Sequence, residues 1–162
     1  MTNETDPARA LLRHTLATLA YRGGKAIRDV DPKFAEFRIG EKSRTPVEIL
    51  SHIGDLMAWA LSIAKGQEAW SNPQPQSWDH EVERFFSSLK AFDDFLGSNE
   101  PLMSEPGKIF QGPIADALTH VGQIAMLRRL AGTTMRGENY FKADIATGKV
   151  GADQSAPRRE FD

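Results

Sequence analysis

Gly112-Pro113-Ile114-Ala115-Asp116-Ala117-Leu118-Thr119-His120-Val121-Gly122-Gln123-Ile124 is the stretch on which both the fold and the site turn. Asp116, His120 and Gln123 are spaced four and then three residues apart, which on an α-helix stacks them on one face. At roughly 100° per residue, Leu127 falls in the same arc, and Ile124, Leu130 and Ala131 flank it. Those apolar neighbours belong in a core, so the polar trio is expected at the centre of an inward face and not on a solvated margin. Arg128 and Arg129 fall to other sides. Buried polar groups cost free energy unless they are paired or bound to something. This helix is expected to begin at Pro113 and to end at Ala131, before Gly132.

Three further helices are legible on the N-terminal side. Asp6-Pro7 reads as an N-cap followed by an N1 proline, opening a helix to about Val30. Leu12, Leu16, Leu19 and Ile27 share its stripe, and Gly23-Gly24 either kink it or admit a close neighbour. Asp31-Pro32 ends it. Phe34, Phe37 and Ile39 are expected to anchor the linker that follows, with Gly40 to Arg44 as a polar turn. Thr45-Pro46-Val47-Glu48 is a capping box with proline at the first helical position, starting a helix that runs to Lys65 and stops at Gly66. Ile49, Ile53, Leu56, Ala60 and Ile63 form its apolar side, and Glu48 and Asp55 lie on the polar side. After a loop from Gln67 to Gln76, a third helix runs from near Ser77 to Leu96. Its stripe of Val82, Phe85, Phe86, Leu89, Phe92 and Leu96 reads as core, while Asp93-Asp94 reads as a solvated face. Ser98 to Gln111 is read as a second loop.

Four amphipathic helices with loops of this size predict an all-α fold, an antiparallel-type four-helix bundle over residues 1–132. Residues 133–162 hold Gly137, Gly148, Gly151 and Pro157 and show no sustained period. They read as an extended C-terminal arm of the same domain, packing Tyr140, Phe141, Ile145 and Val150 onto the bundle. From Asp153 onward the arm is expected to be mobile.

Composition narrows the function classes. A chain of 162 residues, 40% hydrophobic and 26% charged, suits one globular domain with a sizeable core. Twenty basic against twenty-two acidic residues, with no Lys/Arg stripe, give no support for a nucleic-acid partner. The absence of cysteine excludes disulfides, thiolate nucleophiles and cysteine-ligated metal sites. The polar opening Met1 to Asp6 is not of signal-peptide type, and no apolar run approaches the roughly 20 residues of a membrane span. A cytoplasmic protein without a membrane partner is therefore expected. There is no Gly-rich phosphate loop and no serine nucleophile elbow.

The chemistry-bearing residues are few. His52 lies beside Leu56, Trp59 and Ile63 by angle, at one edge of the second helix's apolar arc. If the second and fourth helices face each other, His52, Asp116 and His120 converge. Two neutral imidazoles and a carboxylate suit Zn²⁺, Ni²⁺ or Fe²⁺, and three protein ligands leave a coordination position for water or substrate. Gln123 then orients one ligand or touches the substrate, or is a plain buried amide. Other readings stand beside this one. Asp116 pairs with His120 at i,i+4, or holds an arginine from elsewhere, or meets the helix dipole in the first turn. Trp59 lines a pocket near His52, or simply packs. His80 is expected in solvent. His14, with Ala17 and Tyr21, and Leu118 with Val121 lie off the main inward arcs. They make the contact of a homodimer, or lie under the arm.

Two motifs resemble the DinB-like (YfiT-like) superfamily of metal-dependent proteins. Glu48-Ile49-Leu50-Ser51-His52-Ile53-Gly54-Asp55-Leu56 resembles that family's second helix, with its metal-binding histidine. Thr119-His120-Val121-Gly122-Gln123-Ile124 resembles the stretch ending in the fourth helix's His-x-x-x-His pair. The resemblance covers about Asp6 to Gly132. It implies a four-helix bundle, often dimeric, with His52 and His120 as two of three metal ligands at one end. The third family histidine falls at Asp116, a departure that changes metal preference or abolishes the site. The activities implied are thiol-dependent transfer or isomerisation with a low-molecular-weight thiol such as bacillithiol or mycothiol. A metal-dependent transferase or hydrolase acting on a small molecule is the function expected. The alternative is a degenerate, non-catalytic bundle that binds a small molecule or oligomerises.

Overall fold

Thr45 opens α2 (Pro46–Ala64) through a reciprocal pair of hydrogen bonds. Its hydroxyl accepts from the Glu48 N–H at 3.4 Å, and the Glu48 carboxylate accepts from the Thr45 N–H at 2.7 Å. The second of these holds the Glu48 carboxyl below its usual range. The computed structural model describes residues 6–162, so most of the polar opening read at Met1 to Asp6 lies outside the described residues. It contains four long helical segments. These are α1 (Pro7–Ile27), α2, α3 (Trp78–Gly97) and a composite of α4 (Pro106–Ile109), a π-helical turn (Phe110–Ile114) and α5 (Ala115–Leu130). The fold is all-α apart from β1 (Gly137–Glu138) and β2 (Glu160–Phe161), which pair antiparallel with Gly137 opposite Phe161.

α1 and α2 each pack against both α3 and α5. The core between them is built from Leu12, Leu16 and Leu19 of α1, Ile49, Ile53 and Leu56 of α2, Phe85, Leu89 and Phe92 of α3, and Ile124 and Leu127 of α5. Burying each such side chain contributes about 1.5–3 kcal/mol. Gly23 serves close approach: a Cβ there would stand 2.6 Å from Cζ of the buried Phe85 ring. By length and mean hydropathy α2 is apolar enough to cross a membrane, but most of it is buried against the other helices, as in a core helix.

The fourth helical segment starts at Pro106, not at Pro113. A proline inside a helix lacks an N–H and crowds the carbonyl four residues back, here that of Ile109. The π-helical turn, with its wider hydrogen-bonding loop, carries the chain past Pro113 without ending the helix. α1 in turn stops at Ile27, short of Val30, with Arg28 already extended.

Several charges lie buried between helices, Asp93 among them, although its sequence reads as a solvated face. Arg128 is buried, its Nη1 donating to the carbonyls of Lys25, Ala26 and Arg28 at 3.0–3.1 Å and its Nε to that of Thr133 at 2.8 Å. It thus satisfies carbonyls that the C-terminus of α1 leaves free. Asp93 is buried and takes both arms of Arg13 at 2.8 and 2.9 Å. Asp55 is buried against Arg84 at 2.8 Å; burial pushes its carboxyl up, and Arg84 pulls it back. Conversely, Leu130, which reads as core, and Ile39, which reads as an anchor of the linker, are 56% and 58% exposed.

The arm after α5 closes over α1. Buried Glu138 accepts from Tyr21 Oη at 2.6 Å and Lys25 Nζ at 3.0 Å, and Lys25 also reaches Glu160 at 3.0 Å. Thr147 meets His14 at 3.3 Å. Tyr21 is therefore covered by the arm. Val150 joins the core, but Phe141 is 90% exposed, against expectation. Nor is the end of the arm loose: β2 pairs with β1 and brings Glu160 onto Lys25.

Candidate metal centre

His52 projects from the second turn of α2, Asp116 from the first turn of α5, and His120 from one turn further along. Because α2 packs on α5, the three side chains converge, with one ligand atom from each lying within 4.8 Å of the others. Asp116 stands between the histidines. Its Oδ2 is 3.6 Å from His52 Nε2 and its Oδ1 is 3.4 Å from His120 Nε2. The imidazole rings meet edge to face, centroids 4.8 Å apart.

These separations are long for hydrogen bonds, whose N···O distances fall at about 2.7–3.2 Å. Around a metal with bonds of about 2.0–2.1 Å the edge of a tetrahedron is roughly 3.3 Å, so three ligand atoms within 4.8 Å of one another would draw closer to share one ion. The donor set of two imidazoles and one carboxylate suits a borderline divalent cation.

The protonation states fit as well. His120 Nδ1 is 2.9 Å from Gln123 Oε1, a contact in which the ring nitrogen donates to the amide oxygen. That places the proton on Nδ1 and turns the Nε2 lone pair toward Asp116 and His52. Burial pushes the His52 pKa down, with help from His120 and Arg44 and against the pull of Asp116. A neutral imidazole is the form that ligates.

The trio sits at the open margin of the helix packing, not at its centre. His120 is buried, but the Asp116 side chain is 48% exposed and Gln123 is exposed. Gln123 is thus neither a buried amide nor idle. The helical angles place Asp116, His120 and Gln123 at the centre of an inward face, but of the three only His120 is buried.

No family model, curated protein or solved structure matches this chain.

Trp70, and not Trp59, is the indole that packs on His52. It packs edge to face on His52 at 5.8 Å and on Trp59 at 5.6 Å. The signal available was a lone large aromatic within the polar, proline-bearing loop after α2, which has reason to fold back on apolar surface. Trp59 sits one step behind, its Nε1 donating to Glu68 at 3.2 Å. His14 and His80 are exposed on α1 and α3 and take no part.

A groove of about 390 Å³ opens beside His120 and Gln123. Its floor is Ile49 and Leu127, and Arg44 stands on its wall. The first turn of α5 also follows directly on the π-helical turn, a type of irregularity frequent at functional sites.

Proposed function

We propose that this chain is a metal-dependent enzyme built on a four-helix bundle of the DinB-like type, a thiol-dependent transferase or hydrolase acting on a small molecule. The observation that supports it is the convergence of His52, Asp116 and His120, one ligand atom from each lying within 4.8 Å of the others. Those three residues would hold Zn²⁺, Ni²⁺ or Fe²⁺. When bound, such an ion supplies Lewis acidity and lowers the pKa of a water or thiol near neutral pH. The chain's own part is positioning. Gln123 fixes the ring and tautomer of His120, Asp116 supplies the single negative charge, and Trp70 shields one side of His52 from water. Since the chain has no cysteine, a thiol nucleophile would come from a low-molecular-weight cofactor. A homodimer is part of the same proposal.

A second reading has its own support, because both histidines lie within ion-pair range of Asp116. On that reading the trio is a structural cluster in a non-catalytic bundle. Thermal unfolding of untagged wild type and His120→Ala, each with and without Zn²⁺, separates the two. A ligand that binds only the native state raises stability by mass action. The metal reading expects a concentration-dependent rise in Tm for wild type that His120→Ala loses. The structural reading expects His120→Ala to lower Tm by the same amount with or without the ion.

A further inference from the structure

The groove beside His120 carries a chemical signature that the ligand trio does not. Ile39, Met126 and Leu130 are large apolar residues left 58%, 57% and 56% exposed, and all three line this one groove. Exposed apolar residues scattered singly need no explanation, but a rimmed cluster marks a binding surface. Its volume of about 390 Å³ suits a small molecule and not a protein segment. The polar groups of the lining are His120 and Gln123 from α5 and Ser43 and Arg44 from the loop entering α2. Arg44 is exposed and makes no salt bridge within 4 Å among the described residues, although Glu48 is near enough to feel its charge. The wall that carries it is locally fixed. Ser43 bonds back to Gly40 through its N–H at 3.0 Å and its hydroxyl at 2.8 Å, and Arg38 donates to the Ser43 carbonyl.

An apolar trough with one arginine in its lining matches a molecule with an apolar body and one anionic head. We infer that the groove receives a small amphiphilic carboxylate, its head at Arg44 beside His120 and its body along Met126 and Leu130. As a substrate site the groove rests on the metal reading above. As a binding site it does not. A second apolar groove of similar size, between Leu11 and Phe110, holds no charged group that would name an occupant.

The test is calorimetric titration of the full chain with octanoate, and with octan-1-ol as the neutral counterpart, in Zn²⁺-treated and metal-free samples. Saturable binding of one octanoate per chain is expected. Arg44→Gln should weaken octanoate at least tenfold while leaving octanol within about twofold. Leu130→Asp should weaken both at least tenfold. Both substitutions are at exposed positions and leave the core untouched. Non-saturating octanoate binding, or binding indifferent to Arg44→Gln, overturns the inference. So does a dimer by sedimentation that Leu130→Asp dissociates, since a second copy would then own the groove. Arg44-dependent octanoate binding by a chain that takes up no Zn²⁺ keeps the inference and removes the metal reading. Zn²⁺ uptake without octanoate binding does the reverse.

Discussion

His120 and Gln123 are joined by a 2.9 Å hydrogen bond from the ring Nδ1 to the amide oxygen, across one turn of α5. The bond makes a helix-surface amide into the group that aims a buried imidazole. Groups hydrogen-bonded to a ligating histidine commonly affect metal affinity by about 10–100-fold. Gln123→Ala should therefore weaken Zn²⁺ binding by about that factor with little loss of stability, because Gln123 is exposed. Gln123→Glu, which keeps an acceptor at that place, should recover most of the affinity. Competition against a chromophoric chelator measures both.

Adjacent glycines in α1 should respond in opposite directions to the same substitution. Gly23→Ala drives a Cβ to 2.6 Å from the Phe85 ring, and overpacking of that kind costs about 1–3 kcal/mol. At Gly24 the nearest atom, on Phe86, is 3.6 Å away, an ordinary contact. Gly24→Ala should stabilise by about 0.5–1 kcal/mol through helix propensity and a less flexible unfolded chain. Urea unfolding of the two variants checks the sign of each.

Arg128 ties the C-terminus of α1 to the end of α5 through three carbonyls of the 25–28 turn. Arg128→Ala removes a charged donor from buried acceptors and should cost about 3 kcal/mol. Arg128→Lys should recover only part of this, since an ammonium cannot span the same fork of acceptors. Denaturant midpoints, with unchanged slopes, are the readout.

The difference between local and distant causes explains what was legible from the residues alone. The start of α2 depends on Thr45 and Glu48, three residues apart, and could be read directly. So could the stripes of Leu12, Leu16 and Leu19 and of Phe85, Leu89 and Phe92, which periodicity alone assigns to the core. Asp93 reads as solvated because its partner Arg13 lies on another helix, and a charge in the sequence carries no mark of a distant counter-charge. Pro113 looked like a helix start because an interior proline normally breaks a helix, and only the π-helical turn lets it remain inside. That error left the site intact, because Asp116, His120 and Gln123 all follow the irregular turn and keep their regular spacing within α5. Leu130 reads as core by pattern and Ile39 as an anchor of the linker, but both are exposed and line a groove instead.

Tyr21 makes the attachment of the arm sensitive to alkali. Burial first, and then its hydrogen bond to Glu138, push the Tyr21 hydroxyl well above its ordinary value of 10.0. A group whose folded pKa is raised contributes stability that is full below its unfolded pKa and is lost as pH rises through the folded one. Wild type should therefore exceed Tyr21→Phe in stability by about 1–2 kcal/mol near neutral pH. That advantage should hold to about pH 9 and shrink steadily above about pH 10. Paired chemical denaturation curves across that range measure the difference.

Zn²⁺ stoichiometry of the untagged chain by equilibrium dialysis, with His52→Ala, Asp116→Ala and His120→Ala alongside, bears most directly on the central claim. One ion per wild-type chain, with affinity at least a hundredfold lower in each variant, is the expected result. Sub-stoichiometric uptake by wild type that added Zn²⁺ does not raise, or uptake that all three variants retain, would contradict it.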